Sequence, residues 1–440
     1  MIQKIEIKNF KSILDEEIEF KKLNLLCGEN ASGKTSIIHA LLIAIQKLNN
    51  KQGFDGQIVK IGNLSELRSF DGGSEIVIKI ITDDQKHRIL SLTKQDTGDC
   101  VLQIEESEQQ ISYEFEKDIY YLSSNRSFGF DTYSKDNMLF GVNGASSISF
   151  LSENQEEMLP DIYMTKYKEC RYDSLVKENP TFLAHVRDWF TFITGEDLKI
   201  EPISHTNQFV LTYGGSDKSI RPINTGSGFS FILPLVIICL GAILRGGYPL
   251  IIIENPEIYL HPDAQEKLSF FIKYISNFTQ VIMETHSEYI LKHLMNNGDE
   301  DVQIILFKKK DKNSHIETLT KNQFVLRPVS YSEIMYKIFN VLSTDLHIAL
   351  FSSLHEKYNK KMNKDSSSIF DFDQYLATIF TDVPQKQRKY NSTTYNTLCS
   401  FIRNTIDHPE QTDASGNKYS YSDEELKKSI DYMFSIFDKI

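Results

Sequence analysis

The stretch from Leu25 to Thr35, LLCGENASGKT, constrains this chain more than any other part of it. Gly28, Gly33, Lys34 and Thr35 satisfy the pattern G-x-x-x-x-G-K-[ST]. A short apolar run (Leu23, Leu25, Leu26) precedes them, and apolar residues at helical spacing follow from Ser36 to Ile45. That order predicts strand, loop and helix, the context in which such a loop cradles phosphate. The glycines let successive backbone N–H groups point at phosphate oxygens, and the helix N-terminus adds partial positive charge. Lys34 is expected to reach β- and γ-phosphates and Thr35 to place its hydroxyl on Mg²⁺, with Asn30 and Ser36 completing the loop's contacts. The ligands this implies are ATP and Mg²⁺.

A chain of 440 residues holds one large core and a second, smaller domain. Its formal charge of −12 disfavours wholesale coating of nucleic acid, so any such contact must use local basic patches. Cys27, Cys100, Cys170, Cys239 and Cys399 show no C-x-x-C spacing, which argues against a disulfide framework or a structural zinc site. The N-terminus has no secretory apolar region. The most apolar run, Phe229 to Leu244, is too short for a bilayer and contains Pro234, so it reads as a buried helix. A cytoplasmic protein without a membrane partner is expected.

Residues 2–20 alternate as two strands, with Ile2, Ile5 and Ile7 in the first and Ile13, Ile18 and Phe20 around the second. Together with the phosphate loop, IEIKNFKSI…LNLLCGENASGKTSII resembles the opening of ATP-binding-cassette ATPases of the RecF, SMC and OLD-like branch. The resemblance implies an α/β fold, an ABC-type P-loop head with a mixed sheet and an antiparallel lobe. Short strands at Ile58–Ile61, Glu75–Ile81 and His87–Leu92 suit that lobe, and Tyr120 to Ser123 followed by Arg126 suits the strand and loop leading to a helical insertion at about 141–200. No heptad pattern is sustained, so the long arm of SMC proteins is absent and a DNA-repair role is the weaker reading.

Further down the chain, Gly226, Ser227 and Gly228 lie in the run NTGSGFS just ahead of the apolar helix, a second anion-binding nest. The resemblance implies that it serves the γ-phosphate of a nucleotide held by another protomer, hence a homodimer or higher homo-oligomer. The apolar strand LIII then ends in Glu254, as a buried parallel strand does when its tip meets a ligand. Glu254 is placed to hold Mg²⁺ through water. The family's water-polarising glutamate is replaced by Asn255, and Glu257 is the nearest carboxylate able to stand in. After a second apolar strand, Gln280 to Met283, His286 in THS matches the family's γ-phosphate-sensing histidine. The lysine run Lys308–Lys312 reads as a solvated turn.

Beyond Pro328 the texture becomes helical, without a convincing strand; 1–327 is read as the head and 328–440 as an all-α domain. Asp371 and Asp373 read as a helix start, and no E…D-x-D arrangement of a TOPRIM nuclease follows. Pro409 biases His408 out of helical geometry, so a helix should end near Asp407 with Arg403 and Asn404 on its last turn. Such a cluster either binds a phosphodiester and moves protons without metal, or merely braces a helix end in a dimerisation module. Arg403, Asn404 and His408 resemble the Arg-x4-His motif of HEPN ribonucleases, and the layout is similar to PrrC-type anticodon nucleases. This implies an ATP-gated, metal-independent endoribonuclease, a toxin-like effector of antiviral defence acting on RNA such as tRNA. Lys386, Arg388 and Lys389, with Tyr390 and Tyr395, are candidates for the RNA backbone. The competing reading is a Septu-like or OLD-like sensor ATPase whose helical tail recruits a separate nuclease, with a partner nuclease or a phage-derived trigger as its partner; a neighbouring nuclease gene favours this reading and single-gene toxicity in cells favours the ribonuclease.

Overall fold

The computed structural model describes the chain apart from residues 47, 49–53, 57, 62–63, 70–71, 95–99, 108–116, 125–131, 135–143, 145, 171–179, 203–207, 214–226 and 391–392. Two compact units are present, Met1–Lys321 and Asn322–Ile440.

The first unit begins with the expected antiparallel pair, β1 (Ile2–Phe10) and β2 (Ile13–Glu19). A register shift between Ile2 and Lys4 lets Ile2 join Ile5 and Ile7 in the core despite its odd spacing. β3 (Leu23–Gly28) is wholly buried and runs through the glycine loop into α1 (Lys34–Ile45). Next come α2 (Leu64–Leu67), β4 (Glu75–Thr82), β5 (His87–Lys94) and β6 (Cys100–Glu106). They are followed by β7 (Ile119–Leu122), β8 (Thr132–Ser134), α3 (Ser147–Glu153), α4 (Asp161–Cys170), α5 (Phe182–Thr194), β9 (Leu198–Pro202) and β10 (Gln208–Tyr213). The apolar run forms α6 (Ser227–Arg245), a buried helix as its composition predicts. β11 (Leu250–Glu254), α7 (Pro262–Ile275), β12 (Gln280–Glu284), α8 (Glu288–Asn297), β13 (Val302–Lys310) and β14 (Asn313–Leu319) complete the unit.

The architecture is α/β, and the two large sheets of this unit are one mixed and one antiparallel. The mixed sheet has the order β14-β13-β3-β12-β11-β7, parallel except for β14; the antiparallel sheet runs β2-β1-β4-β5-β6, and β8-β10-β9 form a third, smaller one. α1 is apolar on nearly every face because it packs against strands of both large sheets, so both of its sides are core. The phosphate loop therefore opens from a clamped helix, which fixes its backbone.

Two local expectations fail for physical reasons. Ile58–Ile61 is not a strand: the buried Gln46 side chain donates to the carbonyls of Phe54 and Val59 and accepts from the N–H groups of Ile58 and Val59, standing in for a ladder. The run Lys308–Lys312 is only partly a turn. Lys308, Lys309 and Lys310 continue β13 and pair with β14, leaving Asp311 and Lys312 to make the reversal, Asp311 at φ 56°. Arg126 lies outside the described residues.

In the second unit, Glu333 accepts hydrogen bonds from the Val325 and Leu326 N–H groups at 2.7 and 3.0 Å, tying the segment ahead of α9 (Tyr331–Phe339) to that helix. α10 (Thr344–Lys361) and α11 (Ile369–Ile379) follow; Ser368 and Asp371 form a capping box, so Asp371 does belong to a helix start. A hairpin of β15 (Gln385–Tyr390) and β16 (Thr393–Thr397) comes next, so the unit is not all-α: the polar pattern of these strands carries no apolar alternation to mark them. α12 (Leu398–Asp407) and α13 (Asp423–Ile436) close the unit around Leu350, Leu354, Phe372, Ile402, Ile430 and Met433.

Candidate nucleotide-binding site

At the tip of β3 the backbone of Gly28 adopts φ 134°, and a Cβ there would lie 2.1 Å from the Phe307 carbonyl oxygen of β13. Only glycine allows that approach. Gly33, at φ 108°, caps α1 without any side-chain hydrogen bond, so the first turn keeps N–H groups available to an anion. The Lys34 ammonium, with 4% of its side chain exposed, folds back to donate to the carbonyls of Gly28 (3.0 Å) and Glu29 (2.8 Å). Burial depresses its pKa, partly offset by Glu284. The Thr35 hydroxyl donates to Glu284 Oε2 at 3.2 Å, and Glu284 Oε1 lies 3.9 Å from Lys34 Nζ.

Beside β3, the parallel strands β12 and β11 end at the same level, with Glu284 and Glu254 as register partners. Glu254 is 6% exposed and both its oxygens are engaged: Oε1 accepts from the Tyr121 hydroxyl at 2.9 Å and Oε2 from the Ser124 N–H at 3.0 Å. Asn255 follows in the left-handed region at φ 43°, its N–H donating to the Glu284 carbonyl. Glu257 Oε1 accepts the backbone N–H of His286 at 2.6 Å, which couples the two residues that the sequence singles out beyond the strand tips. Burial, and then Lys34, lower the His286 pKa and favour its neutral ring.

These elements enclose a cavity of about 730 Å³ lined by Asn30, Gly33, Lys34, Thr35 and Ser36 of the loop, and by Asn255, Glu284 and His286. Glu254 and Glu257 are not among the residues that line it. Three cations from outside the loop also reach it: Lys11, Arg68 and Lys312. Lys11 and Lys312 sit on two hairpin turns fastened together, the Ser314 N–H donating to the Ser12 carbonyl and the Ser314 hydroxyl to that of Ser12, both at 2.7 Å. Lys11 Nζ lies 2.6 Å from His39 Nδ1; burial, then Lys11, push His39 down to about 4, so the ring accepts and the ammonium donates. Lys312 is an exposed turn residue, as its run suggests, that also borders the cavity. A concave, cation-rimmed site of this size suits a polyphosphate, and the hard oxygen donors of Thr35 and Glu284 suit Mg²⁺.

Of the second nest, Gly226 lies outside the described residues, as does the Ser227 side chain. Gly228 packs so close to the loop after β11 that a Cβ would lie 2.8 Å from the Tyr259 carbonyl oxygen.

In the second unit α12 ends at Asp407 with His408 as its C-cap, as Pro409 predicts. Arg403 donates to Asn404 Oδ1 at 3.1 Å and pairs with Asp407 at 2.7 Å; Asn404 is buried. The His408 side chain is 45% exposed, with Nδ1 4.0 Å from a Glu410 carboxylate oxygen. The expected basic patch is largely committed to structure. Arg388 is 1% exposed, donates to Thr405 Oγ1, the His408 carbonyl and Gln411 Oε1, and lies 4.4 Å from the centre of the Tyr419 ring, while Lys386 is paired with Glu425. Lys389 is exposed; the Tyr390 side chain lies outside the described residues.

Among the described residues no three His, Cys, Asp or Glu side chains are grouped to hold a metal by themselves, and no helix is long and apolar enough to cross a membrane.

Residues 23–292 match the family described as "AAA domain, putative AbiEii toxin, Type IV TA system". The chain is 36% identical over 83 residues to the DNA replication and repair protein RecF of Acetivibrio thermocellus, covering 18% of this chain and 22% of that protein. It is 31% identical over 90 residues to the DNA double-strand break repair Rad50 ATPase of Pyrococcus abyssi, covering 20% of this chain and 9% of the relative. The matched stretches are therefore a minor part of these relatives. Among solved structures, the SmcHead bound to the C-winged helix domain of ScpA aligns with a TM-score of 0.47 at 16% identity, covering 72% of this chain and 98% of that one. The SMC head domain from Thermotoga maritima gives 0.39 at 12%, covering 72% and 98%.

Proposed function

The chain belongs to this AAA-domain family of ATPases, and from that premise we propose that it is an ATP-gated, metal-independent endoribonuclease, a toxin-like effector of bacterial antiviral defence. The head reading is supported by the cavity that gathers Lys34, Thr35, Asn255, Glu284 and His286 around one space large enough for a polyphosphate. Lys34 leaves the carbonyls of Gly28 and Glu29 for the β- and γ-phosphates, and Thr35 and a neighbouring carboxylate hold Mg²⁺. Bound Mg²⁺ neutralises phosphate oxygens. Glu257, through the His286 N–H, keeps the sensing histidine at the cavity wall. Gly226, Ser227 and Gly228 of a second protomer close the site over ATP, making a homodimer the active form.

The output reading is carried by one observation: Arg403 near the end of α12 and His408 at its C-cap both reach solvent, with 26% and 45% of their side chains exposed. His408 accepts the proton of a ribose 2′-hydroxyl, whose oxygen attacks the adjacent phosphorus. The 5′-oxygen departs with a proton from a second histidine, and a 2′,3′-cyclic phosphate remains. Arg403 holds the phosphate oxygens, and Asn404 orients Arg403 through its Oδ1. Two copies of α12, brought together by closure of the heads, build the composite site.

A second reading, a sensor ATPase that recruits a separate nuclease, is favoured by the Arg403–Asp407 ion pair and the buried Asn404, which brace the helix end. The two are separated by incubating the purified protein with cellular RNA and tRNA in EDTA and in Mg-ATP, beside an R403A/H408A variant. Cleavage that leaves cyclic-phosphate ends and vanishes in the variant supports the ribonuclease. Absence of cleavage in every nucleotide state overturns it in favour of the sensor.

A further inference from the structure

Two carboxylates end adjacent parallel strands in register, Glu254 on β11 and Glu284 on β12, and the sequence pattern gives the metal-side role to the first. Their surroundings argue the reverse. Glu254 is turned toward β7, where Tyr121 and the Ser124 N–H take one oxygen each, and it does not line the cavity. Glu284 stands one strand nearer to β3, a displacement of about 4.8 Å in a parallel sheet. Its carboxylate lines the cavity, accepts the Thr35 hydroxyl at 3.2 Å and lies 3.9 Å from Lys34 Nζ. Thr35 and Lys34 are the two side chains of the loop that meet metal and phosphate. The backbone of β12 is held on both sides here, by the Asn255 N–H to the Glu284 carbonyl and by the Thr285 N–H to the Leu26 carbonyl, so the side chain has a fixed origin. Asn255, at the position between the acids, brings no charge.

We propose that Glu284, rather than Glu254, is the carboxylate that faces the divalent cation of bound nucleotide, and that Glu254 is a positioning residue fixing β11 to β7 and the loop that follows it. The assignment rests on the ATP-binding reading of this cavity. The Thr35 hydroxyl, which donates to Glu284 here, and the Glu284 carboxylate would together hold the cation, which would neutralise the phosphate oxygens beside them. Oxygen donors of this kind suit Mg²⁺, and Mn²⁺ as its spectroscopic substitute.

The test is Mn²⁺ binding to the ATP-loaded full chain, read by the free-Mn²⁺ electron paramagnetic resonance signal, with ATP affinity measured separately in EDTA by titration calorimetry. E284Q is expected to bind ATP in EDTA as tightly as wild type or more tightly, because a negative charge beside the phosphates has gone. Its Mn²⁺ affinity should fall at least tenfold, and E284D should recover part of that loss. E254Q should keep Mn²⁺ affinity within threefold of wild type. Loss of Mn²⁺ affinity in E254Q but not in E284Q overturns the assignment. A wild-type chain that binds no ATP with or without metal overturns the nucleotide reading itself, which the EDTA titration reveals independently.

Discussion

Replacing Lys34 with Met separates the role of this side chain in binding from its role in the fold. Its ammonium donates to two carbonyls, at 3.0 and 2.8 Å, from a position that is almost fully buried. Nucleotide binding exchanges those partners for phosphate oxygens. Two charge-assisted hydrogen bonds are worth about 3–6 kcal/mol, and surrendering the carbonyl bonds cancels roughly a third of that. A net loss of about 2–4 kcal/mol corresponds to ATP affinity weaker by roughly 30- to 700-fold. The fold responds differently. Burial holds the folded pKa of Lys34 below its unfolded value, so the unfolded chain binds this proton better. Below the folded pKa the charged side chain is thus a cost to the folded state, and the cost is recovered as pH rises through that value. K34M should therefore melt no lower than wild type at pH 7, with any excess in its melting temperature shrinking toward alkaline pH. Titration calorimetry with ATP and scanning calorimetry on the same samples make the check. Affinity within threefold of wild type would refute the phosphate role of Lys34; a collapse of both affinity and melting temperature would refute the claim that the fold does not need the charge.

Other perturbations address the frame around the sites. G28A places a Cβ 2.1 Å from the Phe307 carbonyl oxygen in a backbone conformation that costs a non-glycine residue about 1–2 kcal/mol before the clash is counted, so thermal melts should fall by several degrees and ATP binding should disappear with them. His347 is buried, donates to or accepts from the Ser429 hydroxyl at 2.9 Å, and is pushed down to about 3 by burial. Its folded value lies below its unfolded one, so the stability it contributes as a neutral ring is complete above about pH 6.5 and is lost as pH falls toward 3. Urea titrations should show wild type losing up to about 1.4 kcal/mol per pH unit more than H347Q across that window. R388A removes three hydrogen bonds and the Tyr419 ring contact, so hydrogen exchange should speed up across residues 405–411, with stability falling by about 2–4 kcal/mol.

What the sequence makes legible here is whatever rests on local spacing. β3, β11 and β12 are short apolar runs whose neighbours are turn residues, and both faces of each are covered, so composition alone marks them. The end of α12 is equally local, since Pro409 dictates it. Contributions from far along the chain leave no such mark. Lys11 and Lys312 are 301 positions apart and read as ordinary surface lysines until the two hairpin turns are fastened together through Ser12 and Ser314. Arg388 sits in a polar run, KQRK, and nothing in it reveals that one guanidinium would be enclosed by Thr405, Gln411 and Tyr419. Glu284 is hidden by its position: it ends an apolar strand directly before the threonine and histidine that draw the eye.

The electrostatics of the cavity explain why so many of these charges converge without settling one another. Glu284 and Lys34 face each other at 3.9 Å, yet burial raises the carboxylate's pKa and lowers the ammonium's, so desolvation outweighs their attraction. Glu254 and Glu257 add further to the rise at Glu284, and Lys34 adds to the depression at His286. Glu284 and Lys34 are thus each held charged in the folded state at a cost that their mutual attraction does not remove. A polyphosphate brings negative charge to Lys34, Lys11, Arg68 and Lys312, and a divalent cation brings positive charge to Glu284; only both together relieve both sets. Metal and nucleotide should accordingly bind with positive coupling, each strengthening the other by the same factor, as linkage requires. The coupling should be nearly abolished in E284Q while nucleotide binding alone survives, because the carboxylate that opposes phosphate in the cavity is the one that the cation neutralises.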